Sequence, residues 1–207
     1  MPVSRSLSHK AQHGQSYGRR KADKVLPKVL FISCTEARLA PQRFVSDPGQ
    51  LFEIRNIGNI VPPHNPRIIS GDIATIEYGL ALSNLKDVVI SGHSGCGAVA
   101  ALLGQETVSA SVRRWLVVGN SRTVSREAVG LQAGASVDSA ARDRAARAHL
   151  LAQLAHLAGY PGLEAGRSNG GLRLRALFDT EAGTTEVYSP REDRFVPLGR
   201  HSTAAAR

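Results

Sequence analysis

With 207 residues, 42% of them hydrophobic and 5% aromatic, the chain can bury one sizeable core and does not call for a second domain. No stretch approaches the roughly 18 consecutive apolar residues of a membrane-spanning helix, which excludes that class of protein. The formal charge of +9 is unevenly placed, since residues 1 to 28 carry Arg5, Lys10, Arg19, Arg20, Lys21, Lys24 and Lys28 against Asp23 alone, a net +6.

Residues 1–24 therefore read as a basic, disordered tail, rich in Ser, Gln, Gly and His and without apolar periodicity. Charge of this kind attracts nucleic acid or an acidic partner. No aromatic residues interleave with it in a binding pattern, so a solvated tail that aids solubility is the preferred reading. Arg19-Arg20-Lys21 resembles the start of a targeting segment, but Asp23, Lys24 and Lys28 interrupt any hydrophobic region after it. A cytoplasmic location is expected, where thiols stay reduced.

The first strand-like run, Lys28 to Ser33, ends at Cys34, and Cys34-Thr35-Glu36-Ala37-Arg38 places a carboxylate and a guanidinium beside that thiol. Gly71 to Leu82 has helical spacing, with Asp72 available as N-cap, Ile73, Ile76 and Leu80 on one face, and Tyr78 within it. A second apolar run, Val88 to Ser91, leads into the turn Gly92-His93-Ser94-Gly95-Cys96-Gly97. Ala98 to Leu103 continues as a helix, Val112 to Val118 is a short apolar segment, and Asn120 to Ser136 is a polar loop. Asp138 to Leu157 forms a long amphipathic helix ended by Gly159 and Pro161. Leu172 to Phe178 alternates at period two and pairs with Glu186 to Tyr188 across a turn at Gly183, a hairpin at the sheet edge with Arg173 and Arg175 solvated. Strands alternating with helices give an α/β fold with a central, mainly parallel sheet spanning residues 25–198, followed by a frayed end at 199–207.

Parallel strands release polar residues at their carboxyl ends, so the two apolar runs can bring Cys34 to His93 and Cys96. These are the only cysteines in the chain. Two thiolates and one imidazole are a soft donor set suited to Zn²⁺, and catalytic zinc sites use three protein ligands plus an open position. The plain alternative is that both cysteines are small buried hydrophobes and His93 caps a glycine-rich turn. Glu36 could accept a hydrogen bond from a reacting water, oriented by a bidentate pair with Arg38, or the two could form an ordinary surface ion pair.

The blocks Cys34-x-Glu36-x-Arg38, Leu51-Phe52-Glu53-Ile54-Arg55-Asn56-Ile57-Gly58-Asn59, Ile76-Glu77-Tyr78 and Gly92-His93-Ser94-x-Cys96-Gly97 occur in the order seen in the β-class carbonic anhydrases, and the chain resembles that family from about residue 25 to 198. The resemblance implies reversible hydration of CO₂ to bicarbonate, with Cys34, His93 and Cys96 as zinc ligands and Glu36 and Arg38 as the catalytic dyad. It also implies a narrow apolar CO₂ pocket lined by Phe52, Ile57, Tyr78 and Gly97, and a homodimer or dimer of dimers with sites near the subunit boundary. Two positions depart from the family: the dyad aspartate is Glu36, and a substrate-holding glutamine is Val25. The first 24 residues also lack the periodicity of the family's dimer-clasping helices. A catalytically impaired zinc scaffold, a bicarbonate-responsive regulator and a hydrolase of another small linear molecule such as CS₂ are alternatives on the same site. A phosphate loop at Gly92, Gly95 and Gly97 fits less well, because the spacing is not G-x-G-x-x-G. His64, in Pro62-Pro63-His64, is an expected surface histidine with proton shuttling as its second reading.

Overall fold

The computed structural model describes residues 27–36, 40–45, 47–121, 126–127, 130 and 137–198. The expected tail, Val25, Arg38, most of the 120–136 loop and the C-terminal end lie outside them. Six strands form one sheet in the order β2-β1-β3-β4-β5-β6: β1 Val29–Cys34, β2 Leu51–Asn56, β3 Asp87–His93, β4 Arg173–Asp179, β5 Thr185–Ser189 and β6 Arg194–Pro197. The first four are parallel and the last two antiparallel.

β1 and β3 are continuous apolar runs because both faces of the central strands are covered. Leu30, Ile32, Val88, Ile90, Ala176 and Phe178 point to the larger core, while Phe31, Val89 and Leu177 build a smaller cluster on the other face. Among the described residues α1 Gly71–Leu80, α2 Gly97–Leu102 and α4 Ser139–Ala158 answer to the expected helices, while α3 Ala110–Val118 forms where only a short apolar segment was expected and α5 Pro161–Ser168 was not expected. Asp138 caps α4 by accepting from the Ala141 N–H at 2.6 Å. The buried stripe of α4, including Ala145, Leu150 and Leu157, belongs to the larger core.

Several expectations are corrected. The N-cap of α1 is Ser70, whose hydroxyl accepts from the Ile73 N–H, and the helix stops at Leu80. Asp72 sits in the first turn, where its carboxylate accepts from Asn56 Nδ2 at 3.0 Å. Pro161 opens α5, a position that asks nothing of its missing N–H. β4 is interior, because β5 and a further short strand, β6, extend the sheet beyond it. Arg173 and Arg175 both reach Asp87 at the opposite end of β3 from His93, Arg173 with two bonds of 2.8 and 2.6 Å.

The strand order places β1 between β2 and β3, so the chain reverses direction of winding at the β1/β3 boundary, where ligands of open α/β sheets bind. Cys34 ends β1 and His93 ends β3 at that boundary. No helix among the described residues is long and apolar enough to cross a membrane.

Candidate metal centre

Cys34, His93 and Cys96 converge, each offering one ligand atom, with all three atoms within 4.8 Å of one another. All three residues are buried and both thiols are free. β1 and β3 deliver Cys34 and His93, and the turn after β3 folds Cys96 back to become the N-cap of α2. Donors on one tetrahedral zinc are expected about 3.3–3.8 Å apart, given bonds of about 2.0–2.3 Å, so a group within 4.8 Å needs at most a small side-chain adjustment to close on an ion.

The protons of the cluster are organised for a cation. His93 Nδ1 donates to the Ser94 carbonyl at 2.9 Å, which leaves Nε2 as the nitrogen available for ligation. Nε2 is buried and makes no hydrogen bond of ordinary geometry, facing the Cys34 sulfur and, at 3.6 Å, Glu36 Oε2, an arrangement of donors that a metal would complete. Ser94 Oγ donates in turn to Asp143 on α4 at 2.6 Å, and Arg147, one turn on, bonds Glu186 of β5, so the histidine loop is tied across the sheet.

The Cys34 thiol is held well below its usual range, first by the Cys96 S–H donating to its sulfur, then against burial by His93 and the backbone N–H groups of Glu36 and Gly58. Cys96 is pushed up as the donor of that bond, by burial and by the Cys34 charge. Burial pushes His93 down, but the Cys34 sulfur, the Ser94 carbonyl and the Glu36 charge outweigh it, and the net shift is upward. Negative charge thus gathers here and favours a positive neighbour.

Glu36 is half-buried, with Oε2 3.6 Å from His93 Nε2, although it stands outside the mutual three-donor group. Arg55 steadies the backbone beneath it, its Nη1 donating to the Cys34 and Glu36 carbonyls at 3.4 Å, while its Nε pairs with Glu53. Ile57 precedes Gly58, whose N–H reaches the Cys34 sulfur, and Gly97 directly follows Cys96, starting α2. Phe52 and Tyr78 pack together with ring centres 5.9 Å apart, but away from the cluster. Phe52 pairs with Leu30, four residues before Cys34, or about 13 Å down the sheet. His64 Nε2 donates to the Glu77 carboxylate at 2.9 Å, and the ring lies edge-on to Tyr160.

One contributor was invisible in residue types: the Gly58 N–H donates to Cys34 Sγ at 3.4 Å. Gly58 has φ +78°, and a Cβ there would sit 2.8 Å from Ala98 Cβ. Left-handed strain of about 1–2 kcal/mol and overpacking of about 1–3 kcal/mol give an expected loss on the order of 2–5 kcal/mol for Gly58→Ala. Urea unfolding measures it, and a loss under about 0.5 kcal/mol would contradict the close packing of this turn.

A family model described as carbonic anhydrase matches residues 29–185. The chain is 33% identical over 189 residues to a carbonic anhydrase of Pseudomonas aeruginosa, covering 89% of this chain and 84% of that protein. It is 33% identical over 184 residues to carbonic anhydrase 1 of Escherichia coli, covering 87% and 82%. Among solved structures, the β-carbonic anhydrase CcaA superimposes with a TM-score of 0.73 at 30% identity over 84% of this chain and 78% of that one. A tetrameric β-carbonic anhydrase of Sordaria macrospora gives 0.65 at 25% identity, over 84% and 81%.

Proposed function

The chain belongs to the β-class carbonic anhydrases, and from that membership we propose that it hydrates CO₂ reversibly to bicarbonate at a zinc ion held by Cys34, His93 and Cys96. The observation that carries this reading is the buried His93 Nε2, without a hydrogen bond of ordinary geometry, grouped with two thiol sulfurs. Bound zinc supplies the Lewis acidity that makes water nucleophilic near neutral pH.

The chain's own residues do the rest. Ser94 fixes the His93 tautomer, and the Gly58 N–H donates to the Cys34 sulfur. Glu36, which the family pattern couples to Arg38, accepts a hydrogen bond from the reacting water and keeps its lone pair aimed at CO₂. Two thiolates offset a divalent charge more fully than imidazoles would, so the rate is expected to rise toward alkaline pH. The proton leaves to buffer. His64, engaged by Glu77, takes no part.

Removal and return of metal tests the proposal. Chelator-stripped protein is expected to lose CO₂ hydration and to regain it with one equivalent of zinc per chain. Activity that survives complete stripping would refute it.

A second reading has its own observation. The 3.6 Å between Glu36 Oε2 and His93 Nε2 is near the ~3.3 Å expected of oxygen and nitrogen donors on one tetrahedral zinc, so Glu36 can close the fourth position and give a resting or impaired state. X-ray absorption at the zinc edge separates the two, with a glutamate-deprived Glu36→Gln protein as the reference. Identical spectra exclude ligation by Glu36.

Phe52 and Tyr78 can line a CO₂ pocket only where a neighbouring copy brings them to its own centre, which supports a homodimer or dimer of dimers. Tyr78 is 66%, Ile57 42% and Val117 70% exposed on the single chain, apolar area of the kind a subunit contact covers. Sedimentation of the purified protein is expected to show at least a dimer, and a monomer at working concentration would remove this part. A cytoplasmic setting, in which thiol ligands stay reduced, is the location that goes with this reading.

A further inference from the structure

The Ile57–Gly58 peptide is held at both poles. Its carbonyl accepts from Trp115 Nε1 on α3 at 2.8 Å, and its N–H donates to Cys34 Sγ at 3.4 Å. A trans peptide is planar, so fixing the direction of the carbonyl fixes the direction of the N–H, and a donor on the oxygen polarises the unit and strengthens the bond at the other end. The next carbonyl, that of Gly58, accepts from His149 Nε2 on α4 at 2.7 Å. That bond assigns the tautomer: Nε2 carries the proton and Nδ1 accepts from Ser121 Oγ at 2.6 Å. His149 and Ser121 are fully buried, and burial holds the imidazole neutral.

α4 repeats the pattern along the same segment. Gln153 accepts from the Val61 N–H at 3.0 Å and donates to Gly119, His156 donates to the Val61 carbonyl at 2.9 Å, and Tyr160 just beyond the helix donates to the Pro62 carbonyl at 2.9 Å. Asn56 binds Ile60 from within the turn through both side-chain atoms. The stretch has no regular secondary structure after Asn59, and side chains stand in for a ladder. Among the described residues only Trp115 bonds the carbonyl of the peptide unit that addresses the sulfur, and it is the only tryptophan of the chain.

We propose that Trp115 and His149 are positioning residues for the metal centre, clamping the Ile57–Gly58 turn from α3 and α4 so that the Gly58 N–H is delivered to the Cys34 sulfur. The inference rests on the reading of Cys34 as a metal ligand. A hydrogen bond to a ligand thiolate draws electron density from sulfur, so losing it raises the energy of the sulfur lone pairs and makes the thiolate a stronger donor. A role in packing alone would lower stability without changing the sulfur.

The test uses protein in which Co²⁺ replaces zinc. Trp115→Phe keeps an aromatic ring and removes the N–H. Its sulfur-to-cobalt charge-transfer band is expected to move to lower energy than in the wild type, and in the zinc form kcat for CO₂ hydration to fall about tenfold with KM unchanged. His149→Leu, where it folds, is expected to move the band in the same direction. An unmoved band in Trp115→Phe overturns the proposal, and an unmoved band in folded His149→Leu removes His149 from it. A wild type with no sulfur-to-cobalt band refutes the metal reading itself, a failure distinct from that of the clamp.

Discussion

Cys96→Ser protein is expected to be purified folded, nearly free of zinc and without CO₂ hydration activity. Cys96 is one of only three donors among the described residues whose ligand atoms all meet within 4.8 Å, and Glu36, near His93 alone, stands outside that group. Structural zinc sites bind with about 10–16 kcal/mol over four ligands, or roughly 2.5–4 kcal/mol each, so loss of one donor lowers affinity on the order of 10²–10³-fold. Serine is close to cysteine in volume, and the residue caps a short helix without a side-chain hydrogen bond, so the fold has little to lose. Metal analysis after dialysis, with circular dichroism to check folding, measures the outcome. Full zinc occupancy in Cys96→Ser would show that the ion sits elsewhere.

The second large effect runs in the opposite direction. Glu36→Asp is expected to raise kcat/KM by at least roughly tenfold, equivalent to about 1.4 kcal/mol in the barrier, because aspartate restores the side-chain length of the family pattern and misplacement by about 1 Å can cost on the order of 10²-fold. Glu36 already brings Oε2 to 3.6 Å from His93 Nε2, nearer the ligand positions than a group that only orients water needs to be. Shortening it withdraws the carboxylate from that place. Val25 in place of a hydrogen-bonding side chain limits the gain. Equal rates at equal zinc content would show that Glu36 works unaided at its present length, and the impaired-scaffold reading would fall.

Much of this centre was legible from residue types. Soft ligands are chemically distinctive, the chain has two cysteines, and both apolar runs that deliver Cys34 and His93 are buried strands whose sequence is apolar on both faces. α4 was readable from Asp138 onward because its cap and its stripe agree. The misses have specific causes. Pro161 carries the same letter whether it ends one helix or opens another, and Ser70 and Asp72 are both capping residues, so only the backbone conformation decides between them. Residues 194–197 are too short a run to announce a strand, yet β6 makes β4 interior. The hold on Cys34 was hidden more deeply, since its donor is a backbone N–H with no side-chain signature. The groups proposed to aim that donor lie far away in sequence, Trp115 58 residues from Ile57 and His149 91 from Gly58. Arg38, expected beside Glu36, lies outside the described residues.

Stopped-flow hydration of CO₂ by wild-type protein of measured zinc content tests the central claim most directly. Across preparations loaded to different extents, the catalysed rate is expected to rise in proportion to zinc per chain and to extrapolate to the buffer rate at zero zinc. A fully zinc-loaded protein that hydrates CO₂ no faster than buffer would contradict the account.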